Sequence, residues 1–264
     1  AQDRLNNNEC LRAYTEELLG VPTRLFAPAD YNGVIQGLLG GTLDYAELGA
    51  SAYAKVYLED PEAVDPVLTT QQVDGATGYY SIMLARKDSG IESIEDARGK
   101  RLGFADPDST SGFLVPSVAL PAQLGMPIDE YFSETGFGGG HENGVLEMLK
   151  GNFDVQVTWS SGVGEFADGY TSGNIRKMVD KGLLDMDEVN EVWRSPLIPN
   201  GPIVVSNQLD QDVRARFIEF FKAMPENHPD CFRSVQGGDF AGFIDVDHSF
   251  YETIVAARKS KIGS

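Results

Sequence analysis

The chain has 264 residues, of which 42% are hydrophobic and 23% charged, enough to bury one large core or two smaller ones. Its formal net charge of −19 at pH 7 argues against nucleic acid and anionic membrane surfaces as partners, because both require clustered Lys and Arg. No apolar run approaches the roughly 18–20 residues that span a bilayer, and no signal-peptide pattern opens the chain, although a chain opening with Ala1 is compatible with a cleaved precursor.

Short apolar strands alternate with amphipathic helices, which predicts an α/β protein with a mostly parallel sheet. Ala1 to Asn8 is polar, and helical character begins near Cys10. Val34 to Leu39 reads as a helix stopped by Gly40-Gly41, and Leu43 to Leu48 as a short strand. Tyr79 to Ala85 is a strongly apolar strand, Ser93 to Ala97 a short helix, and Lys100 to Ala105 another strand. A helix opens at Ser109 to Gly112, and Glu142 to Leu149 puts Val145, Leu146 and Leu149 on one helical face. Asp154 to Trp159 is again a strand, while Phe217 to Met224 and Tyr251 to Lys259 read as C-terminal helices.

Two stretches look like crossings between lobes: the strand Tyr79–Ala85 and the Pro-marked run from Ser195 to Pro202. They divide the chain into residues 1–84 with 203–264, and residues 85–202. The two cysteines, Cys10 and Cys231, are too few for a disulfide scaffold and match no zinc motif. They are either two separate thiols or, in an exported protein, one bridge from the N-terminal helix to the C-terminal region.

The acidic balance does not exclude a small anionic ligand, because a buried site holds an anion through backbone N–H groups and hydroxyls. The most informative stretch is Gly103 to Leu114 (GFADPDSTSGFL). A strand runs into a Pro-marked turn, followed by Ser109, Thr110 and Ser111 and then Gly112 at a helix start. Unpaired N–H groups and the positive end of the helix dipole make such a start a cradle for an oxyanion. A plain Ser/Thr helix cap is the commoner use of the same residues. His141 follows Gly138-Gly139-Gly140 at the next helix start, where glycines permit close backbone approach and the imidazole adds a donor. His228 and His248 lie in polar stretches and read as solvated. Tyr31 precedes a helix and Tyr79 begins a strand, positions that suit ordinary packing as well as a site.

Phe26 to Gly37 (FAPADYNGVIQG), Asp74 to Ser81 (DGATGYYS), Asp106 to Pro116 (DPDSTSGFLVP), Gly140 to Asn143 (GHEN) and Ser195 to Val204 (SPLIPNGPIV) together resemble, in order, the phosphonate-binding family. Its members are the periplasmic receptors of phosphonate ABC transporters. The resemblance implies a two-lobed type II periplasmic binding fold, with a hinge between the lobes and the ligand in the cleft. It also implies a monomeric, non-enzymatic periplasmic protein without cofactor or metal. Such a protein captures phosphonate, phosphite or a related oxyanion and hands it to a membrane permease. Carried over, Ser109, Thr110 and Ser111 hold the phosphonate oxygens, and His141 donates to the same group. Tyr31 and Tyr79 close over it from the other lobe. Tyr80 is one place off and faces the opposite side of the strand.

Three departures stand out. The best-known members that bind aminoalkyl phosphonates use two carboxylates, and the corresponding positions here fall near Ser161 and at Gly201. Glu47, just after a first-lobe strand, is a candidate new negative charge, and Glu165 becomes one only if the alignment slips. The strand with which the family begins is also missing ahead of the first helix, so its contribution is not legible. Two rival readings use the same residues. A hydrolase would pair Ser109 or Ser111 with His141 and an Asp such as Asp154, but no nucleophile elbow is present. A ferric-iron receptor would use Tyr31, Tyr79, His141 and a carboxylate, whereas Ser-Thr-Ser suits an oxyanion.

Overall fold

The computed structural model describes residues 2–262. From the N-terminus come helix α1 (Gln2–Leu19), α2 (Tyr31–Leu39), strand β1 (Tyr45–Glu47), α3 (Ala50–Glu59) and β2 (Val64–Gln72). Next are β3 (Gly78–Arg86), β4 (Arg101–Phe104), α4 (Val115–Leu124), α5 (Ile128–Tyr131) and β5 (Glu134–Phe137). They are followed by α6 (His141–Leu149), β6 (Val155–Ser160), α7 (Asn174–Asp180), β7 (Val189–Arg194) and β8 (Ile198–Pro199). The chain finishes with β9 (Pro202–Ser206), α8 (Gln211–Asn227), α9 (Pro229–Gln236), β10 (Phe240–Asp245) and α10 (Glu252–Ile262). The Ser93–Ala97 helix is reduced to a single turn at Glu95–Ala97.

These elements form two compact units: the chain up to Thr77 with the chain from Asn200 onward, and Gly78–Pro199. The crossings thus fall at 77/78 and 199/200, ahead of the expected 84/85 and 202/203. All of β3 belongs to the second unit because β6 and β7 pair along it and β8 pairs with its first residues. Gly78 allows that last pairing, since a Cβ there would lie 2.7 Å from the Ile198 carbonyl oxygen.

The expectation of a mostly parallel sheet fails. The first unit's sheet, β1-β9-β2-β10, is antiparallel throughout. The second unit's sheet, ordered β5-β4-β6-β3-β7, is mixed: β4 runs parallel to β5 and β6, and β3 antiparallel to β6 and β7. Apolar strand segments report burial, and the direction of a neighbour is decided by distant chain. Along β3, Met83 and Ala85 join one core with Leu102, Phe104, Leu120 and Val157. Ile82 and Leu84 face the other, with Val145, Met148, Ile175 and Met178 from α6 and α7. Burial on both faces explains why this strand is apolar without alternation.

In the first unit, Leu11 of α1 joins Leu68, Ile203, Phe217, Phe221 and Phe232 in one core. A disulfide joins Cys10 to Cys231, with Cα atoms 5.8 Å apart, and so fastens the polar α1 to α9. Closing so long a loop restricts the unfolded chain, an effect typically worth about 2–5 kcal/mol. The double variant Cys10→Ser/Cys231→Ser is therefore expected to lower the calorimetric unfolding temperature of the first unit by several degrees. An unchanged thermogram would contradict this. The two histidines read as solvated are half-exposed, and each also makes ring contacts. His228 stacks on Tyr14 at 3.8 Å, and His248 stacks on Tyr57 at 3.8 Å with its Nδ1 2.8 Å from the Tyr53 hydroxyl.

Candidate functional site

In the second unit the chain leaves β4 through Asp106-Pro107, where the Asp106 carboxylate accepts the Asp108 N–H at 2.8 Å. Ser109 follows with extended backbone (φ −74, ψ 137), and its Oγ caps the next helix by accepting the Gly112 N–H at 3.0 Å. The first turn, Thr110–Leu114, is a widened π-type turn closed by the Leu114 N–H on the Ser109 carbonyl at 3.0 Å. Such turns recur at functional sites, and a helix start carries N–H groups with no partner inside the helix. Ser109, Thr110 and Ser111 are 1%, 1% and 2% exposed, so all three hydroxyls are removed from bulk water.

Gly112 draws three segments together. A Cβ at this position would lie 2.4 Å from Ala105 Cβ, 2.8 Å from Ser109 Oγ and 2.9 Å from His141 Cε1. His141 reaches that place because Gly140, the cap of α6, adopts φ 120, a conformation open to glycine. The Gly140 N–H donates to the Ala105 carbonyl at 2.8 Å, which ties the start of α6 to the end of β4. His141 Nε2 lies 3.0 Å from Ser109 Oγ, and Nδ1 is buried without a hydrogen-bond partner among the described residues.

Burial, reinforced by the Lys177 charge, pushes the His141 pKa from 6.5 down to about 3, so the ring is neutral at pH 7. A neutral ring carries a single N–H. If that proton is on Nε2, His141 donates to Ser109 Oγ and leaves the hydroxyl proton of Ser109 for another acceptor. If it is on Nδ1, Ser109 donates to Nε2. In both cases the nearest partner of His141 is Ser109.

The depressed pKa has a consequence for stability. The unfolded chain takes up a proton below pH 6.5 that the folded chain refuses until about pH 3. The contribution of His141 is therefore fully present above pH 6.5 and falls as the pH drops toward 3, by at most about 1.4 kcal/mol per pH unit. His141→Gln is expected to flatten urea-derived stability against pH in that window, relative to the parent chain. Identical slopes would refute the assignment.

On β3, Ser81 stands across from Trp159 of β6, and the Ser81 hydroxyl donates to the Ser111 carbonyl at 2.6 Å. Tyr79, on the same strand face, meets Trp159 nearly edge-on at 5.4 Å, and His141 approaches the same indole at 6.5 Å. Lys177 of α7 places its ammonium over that ring, 5.6 Å from its centre. Tyr79, Ser109, Thr110, Ser111 and His141 thus share one end of one sheet. The expectation that Tyr79 acts from the opposite lobe is corrected, since β3 belongs to this unit. Tyr80 packs on the other face, under the Arg194 guanidinium. Sequence reasoning missed Trp159 and Lys177. Trp159 closes a legible strand, but Lys177 sits in no motif.

Of the remaining candidates, Tyr31, Glu47 and Gly201 belong to the first unit, and Ser161, Glu165 and Asp154 to the second. Tyr31 opens α2 in the first unit, where Asp30 caps the helix by accepting the Gly33 N–H at 3.0 Å. Glu47 is exposed on β1 and accepts a long hydrogen bond of 3.4 Å from the Gln236 amide. Ser161 pairs with the Thr171 hydroxyl at 3.1 Å. Gly201 has no room for a side chain, because a Cβ would lie 1.8 Å from the Leu48 carbonyl oxygen. Glu165 is exposed. Asp154 binds Arg101 at 2.8 Å and does not orient His141, which removes the third member of a hydrolase triad. Among the described residues no three His, Cys, Asp or Glu side chains are grouped to hold a metal ion.

Residues 2–251 match a family described as the periplasmic substrate-binding protein of phosphonate ABC transporters. The "Phosphonates-binding periplasmic protein" of Escherichia coli (strain K12) is 31% identical over 215 residues, which cover 78% of this chain and 57% of that protein. The "Phosphate-import protein PhnD" of Mycolicibacterium smegmatis is 28% identical over 211 residues, covering 75% of this chain and 60% of that one. The chain therefore spans less than two thirds of the length of these curated relatives. The crystal structure of a binding protein component of an ABC phosphonate transporter from Pseudomonas aeruginosa superposes with a TM-score of 0.82 at 25% identity, covering 99% of this chain and 83% of that one. PhnD1 from Prochlorococcus marinus (MIT 9301), in complex with methylphosphonate, has a TM-score of 0.80 at 16% identity, with coverage of 99% and 94%. The fold is that of these proteins.

Proposed function

Because this chain belongs to the phosphonate-binding family of periplasmic substrate-binding proteins, we propose that it captures a phosphonate or a related phosphorus oxyanion in the periplasm and delivers it to the membrane permease of an ABC importer. The observation that carries this reading is the buried Ser109-Thr110-Ser111 turn, capped through Gly112 and joined to a neutral His141. Hydroxyls and helix-start N–H groups satisfy phosphonate oxygens without bringing in a bulky cation. His141 sets the proton of Ser109 and adds no charge of its own. In this reading Tyr31 contributes its phenol from the first unit as the two units close on the ligand by a hinge. Glu47 is left outside the ligand set, as a surface carboxylate that holds Gln236. No catalytic step is part of the reading.

Calorimetric titration with methylphosphonate tests it. One-to-one binding supports the proposal. Absence of binding, together with visible colour on adding ferric iron or turnover of a phosphonate ester, would favour one of the two rival readings.

A further inference from the structure

Trp159 is a meeting point that the oxyanion cradle alone does not explain. Its half-buried indole is approached nearly edge-on by Tyr79 at 5.4 Å and His141 at 6.5 Å, while the Lys177 ammonium lies over the ring at 5.6 Å. The position of Lys177 is set by short, rigid connections. Asn174, one turn earlier on α7, donates from its buried amide to the Thr158 hydroxyl of β6 at 2.9 Å. Gly173, just before it, runs so close to β6 that a Cβ would lie 2.7 Å from Ser160 Cα and 3.1 Å from the Trp159 ring. The alkyl stem of a half-buried lysine packs against apolar surface while its ammonium gains from the indole face. The charge is felt at the cradle, where it adds to burial in holding His141 neutral. The second unit therefore carries a lysine ammonium on the indole that His141 also approaches, and it comes from outside the hydroxyl turn.

Resting on the phosphonate-binding reading, we propose that Lys177 determines specificity: its ammonium, held over Trp159, selects phosphonates bearing a second acidic group, such as a carboxylate on the carbon chain, over phosphonates bearing an ammonium. At an effective dielectric near 20, a fixed charge within several ångströms of a charged ligand group changes affinity by roughly tenfold to a hundredfold in either direction.

The test is calorimetry with methylphosphonate, phosphonoacetate and 2-aminoethylphosphonate on the parent chain, Lys177→Met and Lys177→Arg, with folding followed by circular dichroism. The parent chain is expected to bind phosphonoacetate most tightly and 2-aminoethylphosphonate least. Lys177→Met, which keeps the stem and loses the charge, is expected to weaken methylphosphonate as well but phosphonoacetate about tenfold more, so that the phosphonoacetate preference shrinks about tenfold. Lys177→Arg is expected to retain the preference. A parent chain that binds 2-aminoethylphosphonate as tightly as phosphonoacetate overturns the proposal even if Lys177→Met fails to fold. A preference that survives in folded Lys177→Met overturns it equally. Normal methylphosphonate binding in those two cases would leave the phosphonate reading standing, whereas failure of all three ligands to bind the parent chain removes that reading and this inference together.

Discussion

The double variant Thr110→Ala/Ser111→Ala is expected to bind methylphosphonate at least about a hundredfold more weakly than the parent chain while remaining folded. Each hydroxyl that donates to a charged oxygen contributes roughly 1.5–3 kcal/mol, so losing two costs about 3–6 kcal/mol and a factor of a hundred or more. Folding survives because the local fold leans on other atoms. The cap is made by Ser109 Oγ to the Gly112 N–H, and Ser81 holds the backbone carbonyl of Ser111. Calorimetry on the folded variant decides the matter, and affinity within threefold of the parent would remove these two hydroxyls from the site.

Gly112→Ala is expected to abolish measurable binding and to destabilise the second unit. Its new methyl would meet Ala105 Cβ at 2.4 Å, Ser109 Oγ at 2.8 Å and His141 Cε1 at 2.9 Å, so at least one of the three segments must move. Overpacking of this kind costs typically about 1–3 kcal/mol of stability. The larger effect falls on binding, because the segments that move are the cap, its histidine and the end of β4. Gly125→Ala serves as a control, since nothing lies within 4 Å of a Cβ there and any penalty comes from its φ of +69 alone. Equal binding by the Gly112 and Gly125 variants would show that the close approach does not shape the site.

The features legible in the sequence are those that local chemistry decides. Ser109 caps a helix and Gly140 takes φ 120 for reasons contained in a few neighbouring residues, so the Ser-Thr-Ser turn and the glycine-led His141 can be read from the residues alone. Tyr79 falls in the wrong unit on sequence reasoning because a strand belongs to the sheet that pairs with it, and the partners of β3 lie some 70 to 120 residues away in β6, β7 and β8. The antiparallel pairing throughout the first sheet and around β3 in the second is hidden for the same reason. Trp159 and Lys177 carry no local signature; they meet only because α7 packs on β6 through Gly173 and Asn174. The absence of a carboxylate at position 201 is read directly, but the reason none fits there, a carbonyl from Leu48, is a contact between strands distant in sequence.

In the proposed function, the turn at Ser109–Ser111, with His141 behind it, holds the phosphorus oxyanion. A crystal structure of the chain with methylphosphonate tests it most directly. Phosphonate oxygens are expected within hydrogen-bonding distance, about 2.5–3.2 Å, of the hydroxyls of Ser109, Thr110 and Ser111 and of N–H groups at the start of that helix. Methylphosphonate bound elsewhere in the protein, with these three hydroxyls still making only the contacts of the unliganded chain, would contradict it.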